Sequence, residues 1–197
     1  LSCVSMSFPQ KPQDAPSLKE FSGRDFGIMA KGVEALRVWT GKSIANVIYD
    51  SKMDKFTADG LFEKVRGKPN IAIVGFTTDG DVFGGFCSVP VKKQNERFYD
   101  SDVFVFSFES HGRCATPQRF AVKESLKGKG RVGFDRNSDN GFVRFGVVEA
   151  GGFTLGNQRS HSICQCMSRG FEGLGDSTLS GQNNVDFFHP PYHHCSR

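Results

Sequence analysis

This sequence predicts an α+β, strand-dominated fold, with two antiparallel β-sheets packed as a sandwich and short helices flanking them. Three observations carry that prediction. Phe supplies 20 residues against 3 Tyr and 1 Trp, and much of it falls at alternate positions, the spacing of sheet packing rather than of base-stacking platforms. The segment around Asp79-Gly80, set between two apolar runs of strand length, is a strong hairpin signal, because Gly supplies positive φ without a Cβ clash. Helical periodicity is confined to a few short stretches, so strands dominate the layers.

At 197 residues the chain fits one large domain, or one domain with an arm, and can bury a sizeable core. Residues 1–24 hold Pro9, Pro12 and Pro16 among polar residues and predict a flexible or loosely docked arm, leaving 25–197 as the domain. Met29, Val33, Leu36 and Trp39 then form a helical face, with Gly41 placed to stop it. Ile44 to Tyr49 reads as a strand. Thr57 can cap a short helix carrying Leu61, Phe62 and Val65 on one side, and Arg66, Gly67 and Pro69 mark its end.

The hairpin follows, over about 70–89. Its return strand contains Gly84-Gly85, which weakens a strand and therefore points to a bulge or to another element pressing on the backbone. Residues 102–108 alternate cleanly, with Phe104, Phe106 and Phe108 on one face and Val103, Val105 and Ser107 on the other. A long glycine-rich loop is expected next. Two further strands are expected at 142–148 and 152–156, and a long surface loop from Ser168 to Asn184.

The charge is modest, 25 basic residues against 21 acidic, a net +4. It is uneven: Arg113 to Arg136 holds seven basic residues against Glu124 and Asp135, a local +5. One basic loop is a docking patch for an acidic partner rather than the pervasive charge of a nucleic-acid binder. No apolar run approaches the roughly 18 residues of a membrane span. The first residues lack the basic and apolar regions of a signal peptide, and no Asn-x-Ser/Thr acceptor occurs, which together predict an intracellular, cytoplasmic protein. Free thiols are the expectation for the six cysteines, 3, 87, 114, 164, 166 and 195.

Several segments imitate chemistry. Gly41-Lys42-Ser43 resembles the end of a phosphate-binding loop, but position 36 is Leu where a Gly is needed, and a helix precedes it instead of a strand. Gly128 to Gly133 matches G-x-G-x-x-G, yet Asp135-Arg136-Asn137-Ser138 follows, so a flexible loop is expected rather than a helix N-terminus that receives a pyrophosphate. Asp135-x-Asn137-x-Asp139 opens like a calcium loop and fails at Asn140 and Gly146, which favours a turn. His189, His193, His194 and Cys195, with Cys164-x-Cys166, supply zinc-type ligands at no standard spacing. On a strand, Cys164 and Cys166 would share one side. There is no G-x-S-x-G elbow, and the histidines (111, 161, 189, 193, 194) crowd toward the C-terminus. Exposed thiols such as Cys87 or Cys164 would be the redox candidates, against a bland reading of buried, inert cysteines.

Taken in order, Trp39-Thr40, Val47-Ile48-Tyr49-Asp50-Ser51, the capped short helix, Ile71 to Phe76, Asp79-Gly80, Val82-Phe83-Gly84-Gly85-Phe86 and Asp102 to Phe108 resemble a TLDc domain. Phe145-Gly146, Gly151-Gly152-Phe153 and Leu155-Gly156-Asn157 are similar to its later glycine-rich element. The resemblance covers Trp39 to Cys166 and is most specific over 44–108. The chain looks like a divergent, protist-type member. Cys164-Gln-Cys166-Met-Ser-Arg replaces the family's C-x-T-F-x-N-x-x-L segment only loosely. The family's last strand, of E-V-W type, has no counterpart before Arg197, so an unpaired neighbouring sheet edge is expected.

The resemblance implies two antiparallel sheets flanked by helices, protection against oxidative stress, and the vacuolar proton-pumping ATPase as protein partner. It brings no accepted catalytic residues, so no catalytic, cofactor or metal site is carried over, and no cofactor is expected. Trp39, Tyr49, Phe83, Gly84, Gly85 and Phe106 read as architecture. The leading expectation is a non-enzymatic protein-interaction domain. The alternatives are a metal- or thiol-dependent enzyme using the Cys/His-rich C-terminal third, and a nucleic-acid-associated module working through 113–136, with Lys127, Lys129 and Arg131 as its contacts.

Overall fold

The computed structural model describes residues 1–7, 23–42, 44–77, 79–136, 142–156 and 163–179. In chain order the elements are β1 (Ser2–Ser7), α1 (Gly23–Thr40), β2 (Ile44–Asp50), α2 (Ala58–Val65), β3 (Ile71–Phe76), β4 (Val82–Cys87), β5 (Arg97–Tyr99), β6 (Phe104–Glu109), β7 (Gln118–Ala121), β8 (Gly130–Phe134), β9 (Val143–Val147), β10 (Gly151–Leu155), β11 (Ile163–Gln165) and α3 (Met167–Gly170). A six-stranded sheet runs β2-β1-β3-β4-β6-β7 and a five-stranded sheet runs β11-β10-β9-β8-β5. Every strand pair in both sheets is antiparallel. The predicted strand-dominated α+β sandwich is the fold observed.

The first sheet is a middle layer. On one face Phe104, Phe106 and Phe108 pack with Val4, Met6, Val74 and Phe86 beneath Met29, Val33 and Leu36 of α1, with Trp39 against them. Trp39 meets the Phe104 ring edge-on, 6.1 Å away at 87°. On the other face Ile73, Phe83, Val105 and Phe120 meet Val132, Phe134, Phe145 and Phe153 of the second sheet. Burial on both faces explains why β3 and β4 read as near-continuous apolar runs. The second sheet buries one face, and β9 shows the resulting alternation.

The glycine pair in β4 is where the two sheets close. A Cβ on Gly84 would strike the Ile73 carbonyl and approach Phe106, and one on Gly85 would lie 2.5 Å from Phe145 ring carbons. The register shifts between Val82 and Phe83, so a bulge and a close approach coexist here. Phe145 stacks on Phe153 at 5.3 Å, and Phe153 meets Phe83 edge-on at 5.7 Å. The turns follow their chemistry: Thr57 accepts the Gly60 N–H at 3.0 Å as N-cap of α2, and Gly80 turns the hairpin at φ +89.

Three expectations need correction. Residues 2–7 of the expected N-terminal arm are instead an interior strand, paired with β2 on one side and β3 on the other, and Cys3, Val4 and Met6 are buried. Its buried apolar residues find partners 39 or more positions away, which overrides the local impression of an arm. The rest of that segment, residues 8–22, lies outside the described residues. The expected glycine-rich basic loop contains β7, a 3-10 turn at Glu124–Leu126 and β8. Gly130 and Gly133, read as loop residues, lie in β8, and at Gly130 the Val103 side chain comes too close to leave room for a Cβ. Finally, the expected surface loop from Ser168 begins with α3, and Phe171, Leu174 and Leu179 are buried, with Phe171 bridging Val122.

Candidate functional site

Antiparallel register decides which side chains share the outer face of the second sheet. Arg97 lies opposite Gly133, Gly133 opposite Arg144, and Arg144 opposite Thr154. The next row is Tyr99, Arg131, Gly146 and Gly152. The intervening row, Phe98, Val132, Phe145 and Phe153, faces the core. The outer face therefore has a glycine floor with arginines standing around it, and it forms a groove of about 330 Å³ crossing β5, β8, β9 and β10. Arg97 and Tyr99 are exposed, and Arg131, Arg144 and Thr154 half-buried.

The charges in the groove are not equivalent. Arg144 Nε lies 2.7 Å from an Asp135 carboxylate oxygen, so part of its charge is matched within the face. Glu149 also lines the groove. Arg97 and Arg131 make no hydrogen bond or ion pair with any described side chain, and their guanidinium groups are the available ones. A guanidinium presents planar paired donors that match a carboxylate.

A second polar cluster sits where the hairpin turn meets the loop after β6. Asp81 is 2 % exposed, and one of its oxygens lies 2.7 Å from His111 Nδ1 and 2.7 Å from Arg113 Nη2. Arg113 Nε donates to the Thr178 carbonyl at 3.1 Å. His111 takes the left-handed conformation, φ +49, and its N–H donates to Glu109 Oε1 at 2.9 Å. No hydroxyl or thiol is hydrogen-bonded to His111 among the described residues. The arrangement is a clasp joining the hairpin, the post-β6 loop and the segment at 174–179. A small notch of about 180 Å³ lies beyond α1, where Arg119 donates to the Trp39 carbonyl at 3.3 Å and stacks its guanidinium 4.5 Å from the Phe104 ring centre.

The residues singled out from sequence are scattered. Gly41 ends α1 at φ +68, and Lys42 follows it, so this stretch is a helix C-terminus and offers no converging N–H groups to a phosphate. Ser43 lies outside the described residues. Gly128 to Gly133 runs into strand β8, contrary to the expected flexible loop. Cys87 is fully buried, contrary to the exposed thiol considered above, and burial, with Asp100 nearby, pushes its pKa up to about 12. Cys3 is likewise buried, its pKa raised by burial, then by Cys87. Cys114 is half-buried and Cys166 exposed, and all four are free thiols.

Strand β11 stops at Gln165, and Cys166 lies just past its end with φ +49. His161, His189, His193, His194 and Cys195 lie outside the described residues, as do Asn137 and Asp139 of the calcium-like segment. Among the described residues no three His, Cys, Asp or Glu side chains gather as a metal cage. No helix among them is long and apolar enough to cross a membrane.

The basic segment 113–136 is not one patch. Arg113 pairs with Asp81, Arg119 lies over Phe104, Lys127 pairs with Glu124, and Arg136 lies 3.5 Å from Asp59. Of the three contacts expected for a nucleic acid, Arg131 alone lines the groove, and its companions Arg97 and Arg144 come from other strands. The signal that would have found them is alternation: Arg97-x-Tyr99 and Arg144-x-Gly146 each place a polar or small residue on the face opposite a core Phe.

No curated protein matches this chain. The model of the TLDc domain family matches residues 35–187, from the second half of α1 through the second sheet and past α3. With the hairpin glycines, the two-sheet sandwich and more than half of the sequence all agreeing, the chain belongs to the TLDc domain family.

Proposed function

We propose that this chain is a non-enzymatic, intracellular protein-interaction domain whose partner is the vacuolar proton-pumping ATPase and whose setting is the response to oxidative stress. Family membership supports the partner. The observation that carries the interaction reading is the second sheet's outer face, a groove on an antiparallel platform whose Arg97 and Arg131 have no acidic partner among the described residues. The first sheet, by contrast, commits both faces to packing. His111, held by the buried Asp81 carboxylate, shares that carboxylate with Arg113 in a clasp, which supports a structural use of the pair.

The test is capture from a native lysate with the folded chain as bait and quantitative mass spectrometry of proton-pump subunits. Enrichment of those subunits, lost with a Gly84→Val/Gly85→Val bait whose sheet interface cannot close, is the expected result. A folded bait that retains no pump subunit above a bead control overturns the pump assignment.

A further inference from the structure

We infer that the outer-face groove of the second sheet binds a short, extended, acidic segment of a partner protein, with Arg97 and Arg131 receiving its carboxylates. This rests on the interaction-domain reading above and deepens it by naming the surface and the chemistry of what occupies it. Neighbouring strands lie about 4.8 Å apart, so the path from β5 to β10 crosses three gaps, roughly 14 Å. Extended chain rises about 3.3 Å per residue, and about four residues fill that length. The floor is Gly133, Gly146 and Gly152, so a peptide backbone can approach the sheet without meeting side chains.

Charge selects the occupant. Arg97 and Arg131 face solvent without an acidic partner among the described residues, while Asp135 already serves Arg144. The Arg97 and Arg131 forks rise from the neighbouring strands β5 and β8, on diagonal positions of one face, and together suit carboxylates on alternating positions of an extended segment. Glu149, which also lines the groove, disfavours a continuous polyanion such as nucleic acid. Arg113, Arg119, Lys127 and Arg136 are engaged elsewhere, with Asp81, the Phe104 ring, Glu124 and Asp59, and do not line the groove. An anionic membrane is a poorer fit, since Tyr99 is the large exposed apolar side chain nearby and the concave floor cannot lie flat on a lipid surface.

The experiment is fluorescence anisotropy of the full 197-residue chain with a labelled eight-residue peptide alternating Glu and Ala, against its Gln-Ala counterpart. The Glu-Ala peptide should bind at least tenfold more tightly and weaken as salt rises. Arg97→Glu/Arg131→Glu should lose at least tenfold in affinity, and Arg97→Gln/Arg131→Gln should lose most of it with less perturbation of the fold. Lys31→Glu/Lys52→Glu, of equal net charge on another layer, should change binding less than twofold.

Equal binding of the two peptides, or equal loss in the control variant, overturns the inference. So does groove-dependent binding of oligothymidine or of vesicles with 30 % phosphatidylserine when the Glu-Ala peptide does not bind. The lysate capture repeated with Arg97→Gln/Arg131→Gln separates the two readings. Peptide binding without any pump capture by the unmutated chain retires the pump and keeps the groove. Pump capture that survives the double variant retires the groove as the pump's docking site and keeps the pump.

Discussion

Gly85 shows how a single missing side chain organises this molecule. Its absent Cβ is the space that the Phe145 ring occupies, and that ring is held from behind by Phe153. Gly85→Ala therefore forces either the ring or the strand to move, an overpacking that costs typically about 1–3 kcal/mol. The urea midpoint should fall accordingly. Gly27→Ala is the internal comparison: it sits in α1 with nothing near a built Cβ, and it should be neutral or slightly stabilising. Equal midpoints for the two variants would refute the close-approach account. Asp81 shows the complementary case at the same scale, a buried carboxylate made tolerable by two cationic or donor partners contributed by a distant loop.

At the scale of elements, β1 carries the sharpest consequence. It lies between β2 and β3, so its loss would strip β2 of its partner and open the edge of β3. It would also remove Cys3, Val4 and Met6 from the two cores. A chain beginning at residue 8 should lose its cooperative thermal transition by circular dichroism rather than merely shift it. An unchanged melting curve would mean that the first seven residues are the dispensable arm their sequence suggested. That suggestion failed because Ser-Cys-Val-Ser-Met-Ser carries no turn signal or long run, and its pairing partners are remote. The β8 misreading has a related origin. Its glycines look like loop punctuation, yet they lie within a strand, and Gly130 leaves the space that the Val103 side chain fills. The α1 face, the Thr57 cap and the β3–β4 hairpin were legible because each is set by residues within a few positions of one another.

For the whole molecule, the three-layer packing of helix on sheet on sheet decides how the thiols behave. Cys3 and Cys87 lie in the inter-sheet core, and Cys166 lies at the surface. Native alkylation with iodoacetamide at pH 8, read by peptide mass spectrometry, should modify Cys166 and leave Cys3 and Cys87 unmodified until the fold opens. Cys87 labelling as fast as Cys166 would contradict that placement. The same burial fixes a pH dependence. With its pKa raised to about 12 in the fold and about 8.5 when unfolded, Cys87 keeps its proton more tightly in the native state. Its stabilising contribution is thus fully present below about pH 8.5 and declines as pH rises toward 12. Cys87→Ala should flatten that alkaline decline.

The sequence by itself determined the local and periodic features: the fold class, the capped helix, the hairpin, the Phe alternation of β6 and the glycine notch that marks the family. These depend on backbone sterics and on side-chain periods that act over a few residues. Tertiary structure alone decided which remote positions meet. It placed Arg97, Arg131 and Arg144 around one glycine floor while dispersing the basic run at 113–136 over several faces. Charge along a chain is ordered by sequence, but charge on a surface is ordered by strand register. Register is set by which distant apolar faces bury one another.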